Sequence, residues 1–205
     1  MCPTKEIIGQ NILTFEEALK TTSESLPYDK KHWLYIPSFY SNYRYVLGTI
    51  GENPLITIGI NPSTAAPENL DNTLQSVKRI ASYNRYDSFI MFNVYTQRAT
   101  NPNDMDQIFN QKLHTENMKA FRFVLERANG KPAIWAAWGT IIQKRVYLIE
   151  CLKDMVQIGT EYNAQWYRAG FLTKQGHPHH PLYLRKDSEL ICFDVEEYLK
   201  NLKID

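Results

Sequence analysis

Features that the 205-residue sequence lacks exclude several classes of protein. No apolar run approaches the roughly 18 residues that a membrane-spanning helix requires. The first ten residues have neither the basic start nor the long apolar stretch of a signal peptide, so we expect a cytoplasmic protein. The three cysteines are scattered and form no CxxC pair, which indicates reduced thiols rather than disulfides or a cysteine zinc site.

An excess of charge of either sign is also missing. There are 23 lysines and arginines against 22 acidic residues, whereas a strongly basic nucleic-acid-binding protein would show more cations. The cations are unevenly spread, because residues 168–186 hold four of them and no acid, and residues 78–98 hold four and one acid. These segments could lie beside one pocket and create a positive field there, or they could be ordinary solvated faces.

Familiar catalytic signatures are absent as well. The segment around Ser63 lacks the glycine spacing and the lysine of a Walker loop, and it forms no GxSxG elbow. The loop 177–181 contains three histidines but no HExxH, and Asp187 is the acid nearest to it. A zinc site usually adds a carboxylate or a cysteine at suitable spacing, so we expect no metal and no cofactor.

What the sequence does contain is an alternation of apolar strands and amphipathic helices. Buried strands are predicted at 55–60, 88–94 and 133–139, and helices are predicted at 74–84, 114–128, 141–152 and 194–202. Because each of these strands is apolar on both faces, we predict a three-layer α/β/α fold with a central, mostly parallel sheet.

The sequence also predicts how the chain is divided. Residues 1–43 are expected to be an irregular or helical N-terminal extension that packs on the domain, with a capping box formed by Thr14 and Glu17. Residues 44–205 are expected to form a single α/β domain. Its first strand, at 44–50, is predicted to form a hairpin with the strand at 55–60.

Polar residues follow each of the three buried strands. They occupy positions 61–64, 93–98 and 138–139. In a sheet of this kind ligands bind at the carboxyl ends of the strands, so we expect these residues to line one pocket.

The first two of these strand ends suit the recognition of a base and a phosphate. The carboxamide of Asn93 can pair with the donor–acceptor edge of a base. Arg98 could bind a phosphate in a bidentate way, and Ser63 and Thr64 could direct hydroxyl and amide groups toward it. Asn61 could hold a water or a base edge, but it lacks the proton affinity of a general base, and turn formation explains it equally well.

The remaining candidates have structural explanations beside the functional ones. Asp71 and Thr73 are explained by an N-cap at the start of a helix. Gly139 allows close approach of the backbone or a tight turn, and Trp138 is more typical of a core than of a stacking platform. A histidine of the 177–181 loop could stabilise anionic charge in a pocket.

The order of four short motifs resembles that of the uracil-DNA glycosylase superfamily. The motifs are Gly-Ile-Asn-Pro-Ser at 59–63, Phe-Asn-Val-Tyr-Thr at 92–96, Ala-Trp-Gly with Gln-Lys within 137–144, and His-Pro-Leu at 180–182. The first is most similar to the mismatch-specific branch. The resemblance implies a glycosylase-like fold in which Asn93 reads the base, Asn61 places a water and His180 stabilises an anionic leaving group. Asn61 stands where the most active branch has Asp, so the carboxylate that activates water is missing from that position.

Over most of its length the chain is identified as a member of a bacterial and phage family described as a domain of unknown function, DUF1643. The matching segments are 61–65, 71–73, 93–100, 116–117, 137–139 and 180–184. This similarity adds Asn117 to the candidate residues, but it brings no established activity.

The sequence therefore favours an enzyme that acts on a nucleobase, a nucleotide or DNA, with Asn61 and His180 as catalytic residues. The predicted substrate-binding residues are Ser63, Thr64, Asp71, Thr73, Asn93, Arg98, Asn117, Trp138 and Gly139. The alternative is a non-catalytic module that binds a nucleotide or a modified base in the same pocket. A third interpretation is that loop 177–181 is only stiffened by proline and that the polar strand ends are caps. The substrate and the oligomeric state stay open.

Overall fold

A seven-stranded sheet forms the centre of the computed structural model, which describes residues 11–21 and 27–202. The strands are β1 (Trp33–Ile36), β2 (Val46–Thr49), β3 (Pro54–Gly59), β4 (Ser88–Asn93), β5 (Ala133–Ala136), β6 (Gln165–Ala169) and β7 (Leu190–Cys192). Their spatial order is β1-β2-β4-β3-β5-β6-β7.

Five α-helices surround this sheet within the described ranges. They are α1 (Phe15–Leu19), α2 (Asn72–Tyr83), α3 (Gln111–Leu125), α4 (Val146–Glu161) and α5 (Val195–Asn201), with short 3-10 turns at Pro102–Asp104, Gly139–Gln143 and Pro181–Tyr183. The predicted capping box at the start of α1 is present, with the Thr14 side chain accepting from the Glu17 amide and the Glu17 carboxylate accepting from the Thr14 amide. None of these helices is long and apolar enough to cross a membrane.

The α/β class is confirmed, but the sheet is mixed rather than mostly parallel. Strands β4, β3, β5 and β6 are parallel to one another and form its centre. The outer pairs β1–β2, β2–β4 and β6–β7 are antiparallel. The prediction was made from the long apolar runs, which are the parallel strands β3, β4 and β5, whereas β1, β6 and β7 were not predicted as strands.

The predicted hairpin between 44–50 and 55–60 is wrong. Strand β2 pairs with β1 and β4, and β4 lies between β2 and β3. The turn that follows β2 is attached to the start of β4 instead, because the Asp87 carboxylate accepts hydrogen bonds from the amides of Glu52 (2.9 Å) and Asn53 (3.0 Å). The chain therefore leaves β2, passes β4 and enters the sheet one strand further on.

Helices cover the sheet on both faces because the side chains of each central strand alternate between two apolar clusters. On β3, Ile56 and Ile58 belong to the cluster that contains the buried faces of α3 and α4. Leu55, one position away, belongs to the cluster formed with α2. Because β3, β4 and β5 are parallel, their carboxyl ends meet at one edge of the sheet.

Candidate functional site

A cavity of about 840 Å³ lies at the carboxyl ends of β3, β4 and β5. Eight of the eleven predicted site residues line it, namely Asn61, Ser63, Asp71, Thr73, Asn93, Trp138, Gly139 and His180. Thr64, Arg98 and Asn117 do not belong to its lining. The volume falls within the roughly 300–1,000 Å³ that is typical of small-molecule sites.

Asn93 is the last residue of β4 and has the most unusual environment in this cavity. Its side chain is fully buried, and neither its Nδ2 nor its Oδ1 has a hydrogen-bond partner among the described residues. An unsatisfied buried polar atom costs about 1–3 kcal/mol. Asn93 thus brings an unpaired amide nitrogen and an unpaired amide oxygen to the cavity lining.

Asn117 supports Asn93 from behind. It lies on α3, is buried, and donates from Nδ2 to the backbone oxygens of Asn93 (3.0 Å) and Val94 (3.3 Å). These bonds hold the end of β4 in place. The structure therefore gives Asn117 a position behind the strand rather than in the cavity, where the sequence predicted it.

The amide nitrogen of Asn61 is hydrogen-bonded to the loops around it. Its Nδ2 donates to the backbone oxygens of Pro62 (3.0 Å) and Ala99 (2.7 Å), which connects the loop after β3 to the loop after β4. The amide nitrogen of Asn61 therefore has a structural role, which is to connect two loops rather than to form a local turn. The carbonyl oxygen is the atom that can accept a hydrogen bond from a water in the cavity.

Arg98 holds the loop that carries Ser63 rather than lining the cavity. Its Nη1 donates to the backbone oxygens of Ser63 and Ala65, and its Nη2 donates to the Tyr35 hydroxyl at 2.9 Å. The guanidinium also lies 4.2 Å from the centre of the Tyr40 ring. These contacts favour a positioning role over the predicted phosphate contact. Thr64 is exposed and also lies outside the cavity lining.

Sequence reasoning missed Arg44, which lines the cavity and is only 1% exposed. Its Nη1 donates to the Ala65 oxygen at 3.1 Å, and its Nε is buried with no partner in the described part of the chain. Burial, helped by the nearby charge of Arg98, lowers the pKa of Arg44 to about 9, so the group stays charged at neutral pH. The only feature of the sequence that could have indicated Arg44 was a single arginine beside the apolar run 45–47.

His180 faces the cavity across the left-handed turn at Gly139. A Cβ at Gly139, whose φ is +63°, would lie 3.4 Å from the Cβ of His180, so the two backbones pack closely. Burial lowers the pKa of His180, although Asp71 opposes this, so the imidazole is neutral at pH 7. Its Nδ1 accepts from the Leu182 amide at 3.4 Å, which leaves the proton on Nε2 as a donor.

Asp71 combines its predicted structural role with a place in the cavity. Its Oδ1 accepts from the Leu74 amide at 2.9 Å, which confirms it as the N-cap of α2. The same carboxylate lines the cavity and lies close enough to His180 and Arg44 to favour their charged forms. Asp71 is therefore the negative charge of the site.

His177 has a different function from His180, because it belongs to a buried hydrogen-bonded chain. The Tyr198 hydroxyl accepts from Trp138 Nε1 (3.1 Å) and lies 2.8 Å from His177 Nδ1, while His177 Nε2 lies 3.2 Å from Gln143 Oε1. Because the Gln143 Oε1 can only accept, His177 donates from Nε2, and the neutral ring accepts the Tyr198 hydroxyl proton at Nδ1. This chain anchors Trp138, whose side chain is fully buried as the core interpretation predicted.

The buried His177 and the partly buried His180 predict how stability depends on pH. Burial lowers the pKa values of His177 and His180 below 6.5, so the unfolded chain binds their protons more readily than the folded protein. We therefore expect the free energy of unfolding to fall as the pH drops through about 6.5, by at most about 1.4 kcal/mol per pH unit for each histidine. Urea denaturation between pH 7.5 and 5 measures this slope.

A His177→Gln variant is expected to have a shallower slope, and His32→Gln, which changes an exposed histidine, is the matched control. Equal slopes in wild type and His177→Gln would contradict the assignment.

In the part of the chain that the structure describes, no group of three or more His, Cys, Asp or Glu side chains is arranged to hold a metal ion. The lining residues described above offer two amides, a neutral imidazole, a carboxylate and a buried guanidinium. These groups can read a polar ring and bind an anion.

Comparison with known proteins identifies one family. The model of a family described as a protein of unknown function, DUF1643, matches residues 44–182. This span includes every residue discussed above that lines the cavity. The search of the curated proteins and the search of the solved structures each found no match to the chain.

Proposed function

This chain belongs to the DUF1643 family, and we propose that it binds a nucleobase, as part of a nucleoside or nucleotide, in the cavity at the carboxyl ends of β3, β4 and β5. The observation that carries the proposal is the carboxamide of Asn93, which is fully buried and unpaired on both its nitrogen and its oxygen.

A buried amide without partners destabilises the free protein, so its presence favours a ligand that supplies both partners. The edge of a base offers an acceptor and a donor side by side, and an Asn side chain matches that pair. Met91 and Leu74 line the same cavity as Asn93 and add apolar groups against which a flat ring can pack.

The order of motifs that resembles the uracil-DNA glycosylase superfamily supports a hydrolytic reaction at the N-glycosidic bond. In that reaction a water held by the Asn61 oxygen adds to the sugar carbon, and the base leaves with the electron pair of the broken bond. The Nε2 proton of His180 stabilises the charge on the departing base. The proton released by the water passes to Asp71 or to solvent, and the base is finally protonated by solvent.

A second candidate is a module that binds the same ligand without cleaving it. The observation that favours it is the position of Asn61, an amide whose nitrogen is used to connect two loops. An amide has no useful proton affinity, so the water is only positioned and not deprotonated by this residue.

A paired binding and release assay tests both candidates. Wild-type protein is incubated with nucleosides, and with single-stranded and duplex oligonucleotides that contain uracil or mismatches, while bound ligand and released free base are measured together. We expect saturable binding of at least one base. Release above the level of an Asn61→Ala, His180→Ala double variant assigns the enzyme, and binding without such release assigns the module. Absence of binding to every base at millimolar concentration would refute the proposal.

A further inference from the structure

We propose that Arg44 binds a phosphate group of the ligand, and that the ligand is therefore a mononucleotide rather than a free base or a nucleoside. The proposal rests on the proposed function for the base half of the ligand and adds its anionic half. The observations that carry it are a guanidinium buried in the cavity wall, its unpaired Nε, and a second arginine bound to the same loop.

Two like charges meet at one carbonyl group behind the cavity. The Ala65 oxygen accepts from Arg44 Nη1 at 3.1 Å and from Arg98 Nη1 at 3.2 Å. The proximity of Arg98 is one of the causes that lower the pKa of Arg44. Two guanidiniums that share an acceptor repel each other, so negative charge nearby would stabilise the arrangement.

The protein supplies too little of that negative charge. Neither arginine takes part in an ion pair among the described residues. Asp71 is near enough to favour the charge on Arg44, but its carboxylate caps α2 and does not contact the guanidinium as an ion pair. Two cations against one carboxylate leave a net positive charge, which an anion in the cavity would balance.

The burial of the Arg44 guanidinium would also be difficult to explain if this residue were only structural. A buried charge without a partner costs several kcal/mol. The hydrogen bond from Arg44 Nη1 to the Ala65 oxygen duplicates one that Arg98 already makes. The loop would therefore keep its carbonyl partner without Arg44. The unpaired Nε is a remaining donor of a group that binds phosphate oxygens in pairs.

The position of Arg44 favours a phosphate monoester at the end of a small molecule over a phosphodiester within a strand. Because the side chain is 1% exposed, the phosphate has to enter the cavity. A terminal phosphate can do so, whereas a phosphate within DNA carries a chain on both sides. The formal net charge of +1 also gives little general attraction for a polyanion.

Calorimetric titration with the five common nucleoside 5′-monophosphates and their nucleosides tests the proposal. We expect at least one monophosphate to bind about 10- to 100-fold more tightly than its nucleoside, as befits hydrogen bonds to a charged group. In Arg44→Met this advantage is expected to fall below about threefold, with nucleoside binding unchanged. Arg44→Lys is expected to keep part of the advantage, because it retains the charge but loses the planar fork.

A matched control removes a cation elsewhere. Arg79 lies on the exposed side of α2, so Arg79→Met should leave both affinities unchanged. Unfolding in urea without ligand is measured for each variant, and Arg44→Met is expected to be at least as stable as wild type. If Arg44→Met does not fold, the partial loss in Arg44→Lys decides the question.

The outcomes separate this inference from the proposed function. Equal affinity for nucleoside and monophosphate overturns the phosphate site and leaves base binding intact. Ribose 5-phosphate binding as tightly as the mononucleotides, with no effect of Asn93→Leu, retains the anion site and overturns base recognition. Tighter binding of oligonucleotides than of mononucleotides, dependent on Arg44, would overturn the choice of a mononucleotide.

Discussion

Replacing Asn93 by leucine is expected to weaken base binding by about 10- to 100-fold and to raise the free energy of unfolding by about 1 kcal/mol. Leucine has nearly the shape of asparagine, so the end of β4 keeps its packing. The two hydrogen bonds to the ligand disappear, and so does the cost of two buried atoms that have no partner in the free protein. Calorimetric titration measures the affinity, and urea denaturation measures the stability.

Asn117→Leu is the matched control, because it changes a neighbouring buried asparagine whose nitrogen is paired. This variant removes the donor shared by the backbone oxygens of Asn93 and Val94. We expect it to lower the free energy of unfolding by about 2 kcal/mol, the usual cost of leaving buried partners unsatisfied. The same change in side chain thus has opposite effects on stability. A loss of stability in Asn93→Leu as large as that in Asn117→Leu would show that Asn93 is structural.

The parts of the fold that the sequence predicted are those whose environment is uniform. Strands β3, β4 and β5 are buried on both faces, so their residues form continuous apolar runs that stand out from the rest of the chain. Strand β1, at Trp33–Ile36, lies at the edge of the sheet and is surrounded in sequence by aromatic and polar residues. Its pairing with β2 depends on contacts that no local pattern records.

Helix boundaries also depend on long-range contacts that the local sequence pattern does not record. The segment after β5 was predicted to be a helix at 141–152, but it divides into a 3-10 turn at Gly139–Gln143 and the helix α4 at Val146–Glu161. The turn fits the packing of Gly139 against His180, which comes from a distant part of the chain. Helix propensity depends on local sequence alone, so it could not predict that contact.

The composition of the site was predictable where strand ends determine it and unpredictable where hydrogen bonds and burial between distant segments do. Asn61 and Asn93 line the cavity because both follow parallel strands that end at the same edge. Arg98 follows β4 too, but backbone carbonyls of the preceding loop and the Tyr35 hydroxyl take up its guanidinium. Arg44 was missed because an arginine beside a strand is usually solvated, and only the three-dimensional structure shows that it is buried.

The position of Arg44 depends on β2, and one glycine allows β2 to lie where it does. Gly48 pairs with Leu34 of β1 on one side and Ile90 of β4 on the other. A Cβ at this position would lie 2.3 Å from the Phe89 backbone oxygen and 2.8 Å from the Ile90 Cα. Both are backbone atoms of a central strand, so neither can move aside as the end of a flexible side chain would.

Gly48→Ala is therefore expected to lower the free energy of unfolding by at least about 3 kcal/mol, more than most single substitutions, because it separates β2 from β4. Urea denaturation measures the loss. Gly130→Ala is the control, since that glycine has a φ of +85° with nothing within 4 Å of an added Cβ. It should cost only about 1 kcal/mol of backbone strain. Equal losses in the two variants would show that small shifts relieve the clash at Gly48, and the close approach of β2 to β4 would then not be what holds Arg44 in the cavity wall.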